Sequence, residues 1–207
     1  MINKFLASQL RQPSGWFGKQ VVSRILNRDN ATMNKLTFRM LNLESANERV
    51  LELGFGGGYL LNKILQSPGV ETVTGVDVSP EMVEFCRKRF ASEINKGKLQ
   101  LKCGNLVDIS HCDRNFTKIC TVNTIYFWSD VKQTLTQLYQ ILEERGSLVI
   151  CFNSKEFLKK TILHKNGFRV YDIEEVKYLM KAVGFKNINW MINSEPQQEF
   201  ICILGQK

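Results

Sequence analysis

The ten residues Val50-Leu-Glu-Leu-Gly-Phe-Gly-Gly-Gly-Tyr59 constrain the fold of this 207-residue chain more than any other stretch. An apolar run carries an acid, Glu52, to a strand end and then turns through Gly54, Gly56, Gly57 and Gly58. Glycines at such a turn accept positive φ and let a ligand approach the main chain with no Cβ in the way. Behind them Leu60, Leu61, Ile64 and Leu65 recur at helical spacing. The loop therefore joins a strand to a helix, the opening unit of an α/β sheet with a nucleotide-type cradle.

The rest of the chain repeats that alternation. Strands are predicted over 49–53, 70–76 (ending in Asp77), 99–103, 118–122, 147–152, 187–192 and 200–204. Between them, Ser79 and Pro80 read as N-cap and first residue of a helix running to Phe90. Further helices are expected over 131–142 (followed by a turn at 143–146), around 156–163, and over 172–182 with Asp172 as N-cap and Gly184 as C-cap. Residues 193–199 cannot hold a crossover helix, so the last strand should pair antiparallel with the sixth. The expected fold is α/β: a Rossmann-like, doubly wound, seven-stranded sheet, mostly parallel with an antiparallel last strand. Residues 48–207 would form one compact unit. Residues 1–47 would be a helical N-terminal extension or lid, its second helix burying Met33, Leu36, Met40 and Leu43.

Bulk properties narrow the class. Hydrophobic content of 43% and charged content of 23% fit an ordinary globular domain. No apolar run reaches membrane-spanning length, and the N-terminus lacks a signal-peptide core, so a cytoplasmic protein is expected. The six cysteines include no C-x-x-C pair, so neither a disulfide framework nor a metal site is expected. The net charge of +8 divides as +5 in residues 1–50, zero in 51–150 and +3 in 151–207. The excess lies on the flanks of the cradle, where an anionic substrate or membrane surface could use it. Nucleic acid is not favoured as a partner.

The spacing of the loop separates the candidate ligands. A dinucleotide fingerprint from Gly54 requires glycine at position 59, which is tyrosine, and no Gly-Lys-Ser/Thr follows for a P-loop. From Glu52 the pattern reads E-x-G-x-G-x-G through Gly54, Gly56 and Gly58. In this the chain resembles the class I, Rossmann-like S-adenosylmethionine-dependent methyltransferases. Over residues 12–207 it resembles the small-molecule methyltransferases with the ubiquinone/menaquinone-biosynthesis type of domain. That likeness also rests on 75–82, on Asn123–Trp128 with Ser129-Asp130, on 143–152 and on Gln12–Gly18.

The resemblance implies S-adenosyl-L-methionine as cofactor and S-adenosyl-L-homocysteine as product. It implies cofactor contacts from Glu52 to the ammonium, Gly54, Phe55, Gly56 and Gly58 along the methionine and ribose, and Asp77 to the ribose hydroxyls. Val78 and Met82 would line the adenine, with Asn105 and Leu106 at its edge and Asn123 near the sulfur. Asn105 stands where relatives often carry aspartate, and Asn123-Thr-Ile-Tyr126 lacks the prolines of enzymes that methylate amino groups of adenine or glutamine. Trp16, Tyr126, Trp128 and His164 are candidate acceptor contacts, and Tyr126 and His164 candidate catalytic groups. The implied activity is methyl transfer to a small-molecule acceptor by in-line displacement. Two alternatives are a membrane-borne quinone or lipid acceptor, with residues 16–28 as an interfacial basic helix, and a non-catalytic binding module of the same fold. An NAD(P) oxidoreductase is disfavoured by Tyr59. Oligomeric state is not legible.

Overall fold

The computed structural model describes residues 30–105, 116–159, 169–195 and 198–207. Seven strands form one sheet: β1 (Glu48–Leu53), β2 (Val70–Asp77), β3 (Leu99–Cys103), β4 (Phe116–Val122), β5 (Leu142–Asn153), β6 (Lys186–Glu195) and β7 (Gln198–Gln206). Their order is β3-β2-β1-β4-β5-β7-β6. The first five are mutually parallel, and β7 runs antiparallel between β5 and β6. This is the expected doubly wound sheet with a reversed last strand. The order reverses direction at β1 and β4, and in open α/β sheets the crevice at such a switch point is where ligands bind.

Alternating side chains send two apolar sets to opposite faces. One face carries Val50, Val73, Leu101, Cys120, Val149 and Cys151. It is covered by α1 (Ala31–Leu41), α2 (Tyr59–Leu65) and α3 (Pro80–Arg89), the last continued by α4 (Ala91–Asn95). The other carries Leu51, Leu53, Ile119, Leu148, Ile150, Ile201 and Ile203 under α5 (Val131–Ile141) and α7 (Ile173–Val183). Helix α6 (Lys155–Lys159) follows β5, and residues 160–163 of the expected helix lie outside the described residues. Within the expected extension, α1 packs on β4, β5 and β7. It buries Met33, Asn34, Leu36, Thr37 and Leu41. Met40 is only half-buried, while Thr37 tolerates burial because its hydroxyl donates to the Met33 carbonyl at 2.9 Å.

Caps formed where the sequence placed them. Ser79 Oγ accepts from Met82 N, Asp172 Oδ1 accepts from Glu175 N, and Gly184 ends α7 with φ 118°. Several strands run longer than expected, β4 from Phe116 and β7 over Gln198–Gln206 among them, and two of the differences have a visible cause. The expected turn at 143–146 lies inside β5, whose pairing with β4 jumps from Phe116↔Leu142 to Lys118↔Ser147. The extra residues bulge, with Arg145 left-handed at φ 66°, and Glu143 is held there by an ion pair with Arg49. Strand β6 extends to ten residues, beyond the expected 187–192, through polar ends that carry no apolar alternation. Among the described residues no helix is long and apolar enough to cross a membrane.

Candidate active site

The loop between β1 and α2 sits at the carboxyl ends of β1, β2 and β4. Gly54 takes φ 69°, and a Cβ there would stand 2.4 Å from Thr124 Cγ2, so glycine is required by both conformation and space. Gly56 differs: its φ is 49°, but a Cβ would meet nothing within 4 Å. That side of Gly56 is the open mouth of the cradle. Gly58 is the N-cap residue of α2. Phe55 is 4% exposed and packs into the core, against the Gly75 position opposite Glu52. It thus presents main chain, not its ring, to the cradle.

Two acids lie below the loop. Asp77, at the end of β2, accepts from Gly56 N at 2.8 Å through Oδ2 and from Ser79 N at 2.9 Å through Oδ1. Burial raises its carboxyl above the ordinary value, and these two amides pull it partly back. Glu52 is 3% exposed, and its Oε2 has no hydrogen-bond partner. Burial, with the neighbouring Asp77 charge adding to it, pushes the Glu52 carboxyl up to about 8. Among the described residues neither acid makes a salt bridge. The same surroundings push the Cys86 thiol up to about 12, burial first and Glu52 second. Two buried carboxyl groups without a countercation form a site where a positive charge would be favoured.

The wall beside Asp77 is arranged by α3. Met82, Val83 and Cys86 face the sheet, so Met82 is 1% exposed and belongs to the core. Of the two residues expected to line the adenine, Val78 is 39% exposed and Met82 is not accessible. Gly104 N donates to the Asp77 carbonyl at 3.0 Å, which ties the end of β3 to β2 and leaves Asn105 exposed beside it.

A second polar cluster stands at the ends of β4 and β5. Asn123 follows β4 with φ 58°. Its Nδ2 donates to Asn30 Oδ1 at 2.8 Å and approaches Met33 Sδ at 3.3 Å. Its Oδ1 accepts from Tyr126 Oη and from Asn153 Nδ2, both at 3.1 Å. Gln198 Nε2 donates to Asn153 Oδ1 at 2.7 Å. Tyr126 is buried, its phenol is raised well above its ordinary value by burial, and its oxygen accepts from Asn153 N. A phenol held in this way keeps its proton through the neutral range. Tyr126, named above as a candidate catalytic group, thus braces the cluster as a neutral phenol. Trp128 is half-buried and packs with Phe127 against the core beneath α5.

The structure brings Glu52, Gly54, Gly56, Asp77 and Val78 around one cradle, with Asn123 and Tyr126 beyond it at β4. Trp16, Leu106 and His164 lie outside the described residues. Sequence reading missed Asn30, Met33, Asn153 and Gln198, which come from three distant segments. The one available signal was an amide side chain flanking each strand's apolar run, Asn153 directly after residues 148–152 in β5 and Gln198 two residues before 200–204 in β7. It also missed Gly75, a strand glycine that marks a close approach.

Residues 50–146 match the family described as a methyltransferase domain. A methyltransferase of Bacillus subtilis, YdaC, is 22% identical over 90% of this chain and 98% of its own length. A ubiquinone/menaquinone biosynthesis C-methyltransferase of Geotalea daltonii is 28% identical, covering 68% of this chain and 72% of its own. Among solved structures, a methyltransferase complex with the Trm112 activator from Haloferax volcanii superposes with TM-score 0.76. It does so at 15% identity, over 99% of this chain and 96% of that one. With the E-x-G-x-G-x-G loop, the switch-point cradle and the reversed β7, these likenesses support a class I, Rossmann-like S-adenosylmethionine-dependent methyltransferase.

Proposed function

We propose that the protein moves a methyl group from S-adenosylmethionine to a small-molecule acceptor, with Glu52, the glycine loop and Asp77 holding the cofactor. The observation that carries this reading is the unpartnered Glu52 Oε2, buried beside a second uncompensated carboxylate. The residues fit the group: its ammonium and sulfonium are cationic, whereas the pyrophosphate of a dinucleotide would meet two acids. Glu52 would take the ammonium. Asp77, with each oxygen holding one backbone amide, retains lone pairs for ribose hydroxyls. Gly56 leaves room for the chain between them. Val78 would lie on the adenine face, with Asn105 and Leu106 at its edge and Asn123 toward the sulfur.

The bound cofactor supplies an already activated methyl group, so the protein's part is alignment, exclusion of water and charge placement. The Asn123–Tyr126–Asn153–Gln198 cluster would fix the wall against which the acceptor is aligned. Trp16, Trp128 and His164 would complete the acceptor pocket. Asn30, bonded to Asn123, starts α1 at that wall, which supports residues 1–47 acting as a cover over the site. A quinone or lipid acceptor is the second reading, favoured by the quinone-methylating relative.

Calorimetric titration with S-adenosylhomocysteine, with NADH as control, tests the proposal. Micromolar binding of the first alone, lost in Asp77→Ala, supports it and justifies a screen of labelled methyl transfer to quinols, carboxylates and amines. Absence of binding to the intact protein refutes it.

A further inference from the structure

Strand β6 ends the sheet, and among the described residues no strand pairs with its outer edge. Long edge strands are commonly guarded by charge, proline or a bulge, because their open N–H and C=O groups recruit another strand. Residues 187–194, Asn-Ile-Asn-Trp-Met-Ile-Asn-Ser, contain no charge and no proline. At their centre Trp190, Met191 and Ile192 are 43%, 48% and 55% exposed. Trp190 stands on the α7 side, with Lys177 Nζ 3.9 Å from its ring centroid, and strand alternation puts Ile192 on that side too. Met191, opposite Cys202, faces the other way. The strand's charges are confined to its two ends, Lys186 and Glu195, both exposed.

We propose that this edge pairs with the same edge of a second copy, β6 against β6 in antiparallel sense, joining the two sheets into one. The symmetry is that of an isologous dimer, with a twofold axis normal to the sheet. Such an axis must pass through a residue facing its own copy, so the register centres on Trp190 or on Met191. In the first, Trp190 meets Trp190 of the partner subunit; in the second it meets Ile192 of the partner subunit. Both bury apolar surface against apolar surface. Both also bring Lys186 alongside the partner's Glu195 within one residue step, at each end of the interface. A parallel arrangement would set like charge beside like. The position of the charges therefore selects the antiparallel self-pairing.

Sedimentation equilibrium of the full chain tests this apart from any cofactor chemistry. The expected mass is twice the 23.9 kDa of one chain. Lys186→Glu and Glu195→Lys should each weaken the dimer about tenfold, and the double variant should restore it, because two exposed pairs are reversed and then re-formed. Ile192→Lys should give a folded monomer, with an unchanged thermal melt of the secondary structure and faster hydrogen exchange along residues 186–195. A wild-type monomer at every accessible concentration overturns the proposal, as does a dimer that Ile192→Lys leaves intact. A monomer whose β6 amides are already protected overturns it too, since another part of the same chain would then cover the edge.

Discussion

Replacing Glu52 by glutamine should flatten the pH dependence of stability. In the folded protein the Glu52 carboxyl rises from the ordinary 4.5 to about 8, through burial and then through Asp77. The folded state therefore holds this proton more tightly than the unfolded chain does. The stabilisation it contributes is fully present below about pH 4.5 and is lost as pH rises through about 8. At about 1.4 kcal/mol per unit, the loss is on the order of 2–3 kcal/mol between pH 5 and 7 and 3–5 kcal/mol between pH 5 and 9. Glutamine keeps the shape and cannot ionise. Urea unfolding of the ligand-free proteins at pH 5, 7 and 9 should show the wild-type-minus-variant stability difference falling by about that amount. Asp77 is present in both proteins, and its titration largely cancels in the difference. Parallel stability curves would refute the reasoning, because they would mean that Glu52 ionises in the fold as readily as in water.

Other substitutions separate ligand space from packing. Gly54→Ala forces a Cβ to within 2.4 Å of Thr124 Cγ2 at φ 69° and should cost about 3 kcal/mol, read by thermal or urea unfolding. Gly56→Val meets open space at φ 49°, so it should cost only about 1–2 kcal/mol of backbone strain while abolishing S-adenosylhomocysteine binding by calorimetry. Tyr126→Phe removes the oxygen that bridges Asn123 and Asn153 and should lower stability by about 1–3 kcal/mol. Its methyl-transfer rate should keep the wild-type pH profile; a displaced profile would restore Tyr126 as a proton-transfer group.

Much of the fold was legible because local signals and global topology agree. Strand β3 was placed at both ends, its alternation of Leu99, Gln100, Leu101 and Lys102 bounded by Gly97 and Gly104. Ser79-Pro80 and Asp172 with Gly184 fixed the ends of α3 and α7 by cap chemistry that acts within a turn. The β5 bulge was not legible, since it depends on Arg49 reaching Glu143 from another strand. The site divides in the same way. Glu52 and the glycines lie on one local motif, Asp77 ends the next strand, and the chain announces both. Whether Met82 faces ligand or core depends on how α3 is rolled over the sheet, which helical spacing leaves open. The amide cluster at β4 is held by contacts that span between 30 and 165 positions of sequence, plus Tyr126, and only the folded sheet brings them together.

The electrostatics of the cradle explain why a globular core would keep an acid with an empty valence. A carboxyl buried like Glu52 can relieve its cost by pairing, by staying protonated or by waiting for a ligand. Asp77 takes the first route in part, through two backbone amides. Glu52 has no such partner for Oε2, so it takes the second while the cradle holds no cation. A cationic ligand makes the ionised form favourable again, so binding should release a proton near neutral pH, and affinity should fall as pH drops below about 8. Titrations in two buffers of different ionisation enthalpy would count that proton. If that proton is released, binding energy is concentrated on ligands that bring positive charge to this spot, and the proposed selectivity of the glycine cradle for one cofactor has its physical basis.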